Sequence, residues 1–340
     1  MAASASNAPG EPADVFRLQR RIDVASAVGL PAPCEIVVDV VAPRHRREGL
    51  SPVALCCLPG GYLGRGYFDL QVEGDDSYSF AAFMAARGFV TLSLDHLGSG
   101  ESTQPEDGYA VTLERVVDAN RWALEEVLGE LREPDPGGDR PDFGLLPSVG
   151  VGHSMGSALS VVQQARAASH AALVLFSFSA RGLEKYLLPD EKKFANRPEE
   201  TWANLPELAR ARFSTPYPRV GGRSGEASQA AFGTGTAEAP AVRALKRCGT
   251  NLVAQPGLLS MIPGGYAPFA ADVRVPVFVG TGDRDLTGPQ EANDAFPRAS
   301  EFVAYTLEDC WHCHNVARTR HRLWERTSRW IRSVVGSDAR

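Results

Sequence analysis

Six short apolar runs set the limits on how this chain folds. They are Val53–Leu58, Phe89–Leu94, 148–152, 171–178, 275–280 and Phe302–Leu307. Most lack the apolar–polar alternation of a strand with one wet face. A strand that is apolar on both sides needs cover on both faces, which is the condition of a parallel sheet between helices. Helical segments stand between the runs. Residues 77–87 read as a helix closed by Gly88, and 158–168 as a helix of small residues. In 113–131, Leu113, Val116, Val117, Leu124, Val127 and Leu128 share one face. Residues 315–335 form a terminal amphipathic helix, and a β-branched run at 34–41 precedes the series. The expected fold class is α/β, a mostly parallel sheet flanked by helices.

The alternation fails between Ser179 and Asp272, a stretch rich in Pro, Gly and Arg with short helical pieces at 202–213 and 239–248. A structureless loop of that length does not suit a compact domain. An inserted cap or lid over 180–271 is expected, with the core formed by 15–179 and 272–336. Within the insert, the Gly/Ser-rich stretch 221–235 is expected to be mobile. Residues 1–14, rich in Ala, Ser and Pro, read as a disordered tail. They have neither the positive n-region nor the apolar h-region of a signal peptide.

Charge narrows the function classes. The formal net charge is −6 and no basic stripe dominates, so nucleic acid is not an expected partner. No apolar run reaches the roughly 18 residues of a membrane span. The expected address is the cytoplasm, where Cys34, Cys56, Cys57, Cys248, Cys310 and Cys313 stay reduced and mostly buried. No metal or cofactor is expected. The cluster Cys310-Trp311-His312-Cys313-His314 lacks the second Cys/His pair of a structural zinc site. Gly60-x-x-x-Gly64 is not followed by the Gly-Lys-Ser/Thr of a phosphate loop.

Gly152-His153-Ser154-Met155-Gly156 fits the Gly-x-Ser-x-Gly pattern. The pattern is weak alone, but an apolar strand before it and a small-residue helix after it are the context of a nucleophile elbow. A serine hydroxyl needs a base, and the base needs an orienting carboxylate. His312 follows the last strand and precedes the last helix, which is the place for the base; His314 is the second candidate. After the 275–280 strand, Asp283 comes first and is the favoured acid, with Asp285 second. The loop one strand earlier, Ser177-Phe178-Ser179, has no carboxylate. The oxyanion needs two donors. One is expected from the Met155 amide and the other from Gly61, with Tyr62 as second choice.

With these residues in place the chain resembles the α/β-hydrolase superfamily from about Val53 to Val335, apart from the lid. The likeness rests on the Gly-rich loop 59–62, the turn 95–102, the elbow at Ser154, and Gly280-Thr281-Gly282-Asp283 with His312. The turn looks like the family's D-x-R-G-x-G-x-S, with Leu97 where Arg is usual. The segments around Asp283 and His312 look most like esterases and cofactor-free haloperoxidase-type members. The family's usual His-Gly of the oxyanion loop is Pro59-Gly60 here. The resemblance implies a serine hydrolase. The expected reaction is cleavage of a small or medium apolar carboxylic ester or lactone through an acyl-enzyme, with a pocket lined from 252–269. C–C, amide or thioester hydrolysis, or acyl transfer, on the same triad is the alternative. A non-catalytic binding member is the third reading.

Overall fold

The computed structural model describes residues 14–47, 49–135, 137–138, 140–219, 232–287 and 295–335. The expected tail lies outside these residues except for Asp14, and of the stretch expected to be mobile only 232–235 falls within them.

Eight strands form one sheet: β1 (Val15–Asp23), β2 (Glu35–Pro43), β3 (Val53–Leu58), β4 (Phe89–Leu94), β5 (Ser148–His153), β6 (Ala172–Phe176), β7 (Val277–Gly282) and β8 (Phe302–Leu307). Their order is β1-β2-β4-β3-β5-β6-β7-β8. β3 to β8 run parallel, and β2 runs against both β1 and β4. β1 does not stand out in the sequence, because an edge strand has one wet face and its apolar signal is diluted.

The apolar runs divide by strand periodicity, with side chains alternating between the faces. Ala54, Cys56 and Leu58 of β3 point to one core with Val90, Leu92 and Leu94 of β4. Val53, Leu55 and Cys57 point to the other with Val149, Val151 and Phe278. Helices cover both faces. α1 (Ala25–Val28), α3 (Leu113–Arg132) and α4 (Met155–Ala167) pack on the first core. α2 (Phe80–Ala85) and α10 (Arg320–Val335) pack on the second, with Phe80, Met84, Leu323 and Trp324 fully buried.

Between β6 and β7 stand α5 (Pro189–Lys192), α6 (Pro198–Arg212), α7 (Ala239–Arg247), α8 (Ala254–Leu259) and α9 (Ala267–Asp272). α6 packs on α8, and α9 packs back on α4. Five of the six cysteines are buried, Cys248 partly so. Among the described residues no helix is long and apolar enough to cross a membrane.

One boundary shift matters for the site. β7 runs to Gly282, two residues beyond the expected end at Gly280. The backbone fits closely there, since a Cβ on Gly282 would lie 2.2 Å from the Cys310 carbonyl oxygen.

Candidate active site

Ligands of open parallel sheets bind beyond the carboxyl ends of the strands. The expected site residues all follow such ends: Gly61 after β3, Ser154 after β5, Asp283 and Asp285 after β7, His312 after β8.

Ser154 turns β5 directly into α4 with φ 53° and ψ −117°. A non-glycine residue at positive φ is strained and persists only where its surroundings impose it. Two glycines permit the bend. A Cβ on Gly152 would lie 2.3 Å from Ser157 Cα, and one on Gly156 would lie 2.0 Å from the Leu58 carbonyl oxygen. α4 therefore starts against β3 with no side chain between them. The Ser154 amide donates to the Phe176 carbonyl at 2.8 Å, fixing the turn on β6.

The Ser154 hydroxyl lies 2.9 Å from His312 Nε2, and His312 Nδ1 lies 2.7 Å from Asp285 Oδ1. An ionised carboxylate only accepts, so His312 carries its proton on Nδ1. That leaves the Nε2 lone pair facing the hydroxyl. The structure corrects the expectation for the acid: Asp285, not Asp283, meets His312. Because β7 extends to Gly282, Asp283 falls on the outer side of the turn. It is exposed, and its Oδ1 accepts the Cys310 amide at 2.9 Å. Asp285 folds back beneath the imidazole with its side chain fully buried.

Asp285 is richly bonded. Oδ1 also accepts the Thr287 amide at 3.1 Å, and Oδ2 accepts the Ser177 hydroxyl at 2.5 Å. Burial alone would raise this carboxyl. The imidazole charge and the hydrogen bonds from His312, Ser177 and Thr287 outweigh it and hold the group well below the usual carboxylate range. It therefore stays ionised beneath His312.

Ser177 escapes a sequence reading that seeks a carboxylate in its loop and finds none. It stands at φ 51° just past β6. Since its proton goes to Asp285, it accepts from His314 Nε2–H at 3.0 Å. His314 is thus one bond removed from the acid rather than on Ser154. Burial pulls its pKa down to about 3, so it is neutral. His153 is the third ring of the cluster, with centroids 5.0 Å from His312 and 5.2 Å from His314. Its Nε2–H donates to the His312 carbonyl at 3.0 Å. Burial, then the charges of its two neighbours, keeps it well below the ordinary histidine value.

The loop after β3 is held from below. His96 Nε2–H donates to the Pro59 carbonyl at 2.9 Å, and Asn120 donates to His96 Nδ1 at 2.9 Å. Gly61 and Tyr62 then line the same cavity as Ser154, Met155 and His312. Met155 opens α4, where an amide has no intrahelical acceptor. Tyr62 takes φ 66°, and its carbonyl accepts the Thr250 amide at 2.9 Å.

In the turn at 95–102 the Asp95 carboxylate is met by a guanidinium from outside the turn. Leu97 is buried. Arg65, from the loop after β3, reaches the Asp95 carboxylate with its guanidinium and donates its amide to it at 2.8 Å. The Glu101 amide donates to the same carboxylate at 2.9 Å.

The cavity over Ser154 measures about 550 Å³. Its walls include Leu183, Tyr186, Phe213, Leu252 and Met261 from the segment between β6 and β7. Among the described residues no group of three or more His, Cys, Asp or Glu side chains is placed to hold a metal ion. Burial pushes the Cys310 and Cys313 thiols up, so neither supplies a thiolate.

Comparison with known proteins bears on the fold and the family. No curated protein matches the chain by sequence. Solved structures share its fold. A hypothetical protein of Pseudomonas aeruginosa is 14% identical over 98% of this chain and 99% of its own, with a TM-score of 0.58. A proline iminopeptidase-related protein of Thermus thermophilus is 18% identical over 94% and 99%, at 0.57. A thermophilic esterase of Thermogutta terrifontis, with malate bound, is 19% identical over 93% and 99%, at 0.52. The model of the alpha/beta hydrolase family matches residues 57–325, a span that runs from the end of β3 into α10. A sheet in this order, a strained serine between β5 and α4, and that match have one joint meaning: the chain belongs to the alpha/beta hydrolase family.

Proposed function

We propose that this chain is a serine hydrolase that cleaves a carboxylic ester or lactone through an acyl-enzyme. The observation that carries the reading is the unbroken run of short hydrogen bonds from Ser154 through His312 to an ionised, buried Asp285. Ser154 Oγ attacks the carbonyl carbon while its proton passes to His312 Nε2. The imidazolium forms beside Asp285, which stabilises it and fixes the tautomer. The Met155 amide receives the oxyanion at the α4 N-terminus, where the helix dipole adds to it, and Gly61 is the second donor. His312 then protonates the leaving group. Water, deprotonated by the same nitrogen, releases the acid.

The segment 180–271 acts in this reading as a cap that supplies the apolar walls. Cavity size and lining support a small or medium substrate with an apolar body. The free cysteines fit a cytoplasmic address. The test is labelling by a fluorophosphonate. The intact chain is expected to take up one equivalent at Ser154, and Ser154→Ala none. Full labelling of the alanine variant defeats the assignment. A panel of p-nitrophenyl esters, lactones, thioesters and amides then ranks the bond types.

A further inference from the structure

Among the described residues, the charged side chains lining the cavity over Ser154 carry one sign: Arg212, Arg219 and Lys246 are there with His312, and no Asp or Glu. The cations differ in what they face. Arg212 is neutralised by Glu191 at 2.7 Å and also donates to the Tyr186 carbonyl. Arg219 and Lys246 are exposed at the rim and have no acidic partner among the described residues. Lys246 Nζ lies over the ring of Phe232, 5.4 Å from its centroid.

Both rim cations sit on backbone tied to the loop that carries Gly61. Arg219 bridges Asn251, and the Pro218 carbonyl accepts the Leu252 amide at 2.8 Å. The Leu252 side chain in turn covers Gly61, where a Cβ would meet it at 2.5 Å. Lys246 stands near the end of α7. The segment after that helix is fastened to the same loop by the Leu63–Gly249 bridge, the Gly64 amide on the Cys248 carbonyl at 2.9 Å and the Thr250 amide on the Tyr62 carbonyl at 2.9 Å. Two cations with no acidic partner among the described residues are therefore held at a set position relative to the loop after β3. The same cavity is lined by apolar Leu63, Phe213, Leu245 and Leu252. Low-dielectric walls strengthen such a field inside a cleft.

The geometry points to a substrate with an anionic far end, a carboxylate or a phosphate, that Arg219 and Lys246 receive at the rim while its apolar body fills the cavity and its carbonyl reaches Ser154. This rests on the serine-hydrolase reading and adds the substrate class to it. The role of the two cations is recognition.

The experiment compares second-order rates of Ser154 labelling by three fluorophosphonates of equal chain length, ending in a methyl group, a carboxylate or a phosphate. The quantity read is the ratio of anionic to neutral rate within each variant. In 20 mM NaCl at least one anionic probe is expected to react about tenfold faster than the neutral one, and whichever does so identifies the anion. The preference is expected to fall to about twofold or less in 1 M NaCl, where the screening length shrinks to about 3 Å. The same loss is expected in the Arg219→Gln, Lys246→Gln double variant. Arg243→Gln, on the same helix but outside the lining, is expected to retain the preference. A wild-type ratio at or below one for both anions, or a ratio unchanged in the double variant, overturns the proposal and leaves the serine-hydrolase reading standing. Failure of all three probes to label Ser154 overturns the hydrolase reading itself.

Discussion

Asp285 and Asp283 are two residues apart, yet they predict opposite mutant phenotypes. Asp285→Asn keeps the shape of the side chain. Its amide oxygen still accepts from His312 Nδ1, and the Ser177 hydroxyl retains the His312 carbonyl as an acceptor at 3.0 Å. What disappears is the negative charge facing the imidazolium that forms during attack. A unit pair about 4 Å apart at an effective dielectric of about 20 interacts by about 4 kcal/mol. At about 1.36 kcal/mol per decade, that is a loss of about 10³-fold in kcat. Asp283→Asn keeps an oxygen for the Cys310 amide and touches no reacting group. It is expected to change kcat by less than about twofold and to cost at most about 1 kcal/mol of stability. The assay is p-nitrophenyl ester hydrolysis by both variants, with melting curves to establish that each is folded. A folded Asp285→Asn chain within tenfold of wild type, or an Asp283→Asn chain that loses 10³-fold, refutes the assignment of the acid.

The other predictions concern the supports of this array and the buried histidines. Ser177→Ala removes a charge-assisted bond to Asp285, worth about 1.5–3 kcal/mol. A fall in kcat of tenfold or more is expected with KM little changed. A folded Ser177→Ala chain with kcat within twofold of wild type refutes the link. Gly156→Ala places a methyl 2.0 Å from the Leu58 carbonyl oxygen, where both partners are backbone. It is expected to lower the urea unfolding free energy by about 3 kcal/mol or more, and a wild-type melt would show that the elbow yields more easily than this. Burial depresses His170 to about 4 and His314 to about 3 in the folded chain, against 6.5 when free. The unfolded chain then binds more protons below pH 6.5. Stability from these neutral rings is complete above 6.5 and is lost as pH falls toward the folded values. Together they should lower the unfolding free energy by about 5 kcal/mol between pH 6.5 and 4.5. Urea titrations across that range should show a shallower slope for His170→Gln, which removes one of the buried neutral rings, and an unchanged slope would refute the link.

How far the site is legible follows from how local each part is. The elbow is written in five consecutive residues, because a bend with Ser154 at positive φ needs small neighbours at Gly152 and Gly156. His312 is readable because it must stand between the last strand and the last helix. The acid is less so. Chain order places a carboxylate after β7, but which one turns inward depends on where β7 stops. Its closing residues, Gly280-Thr281-Gly282, do not mark their own end. Arg65 on Asp95 and Ser177 on Asp285 are contacts across 30 and 108 residues, with no local signature at either end.

Sequence alone determined the fold class, since unbroken apolar runs cannot sit beside water and only helices on both faces of a parallel sheet remove them from it. It located the strained strand-to-helix turn at Ser154 for the same kind of local, steric reason. Tertiary structure decided the rest. It set Asp285 rather than Asp283 under His312, brought Arg219 and Lys246 to the lining of one cavity, and placed Ser177 and His314 behind the acid. Charge and hydrogen bonding act through space, and the distances that decide them exist only once the strands are paired and the loops have closed over their ends.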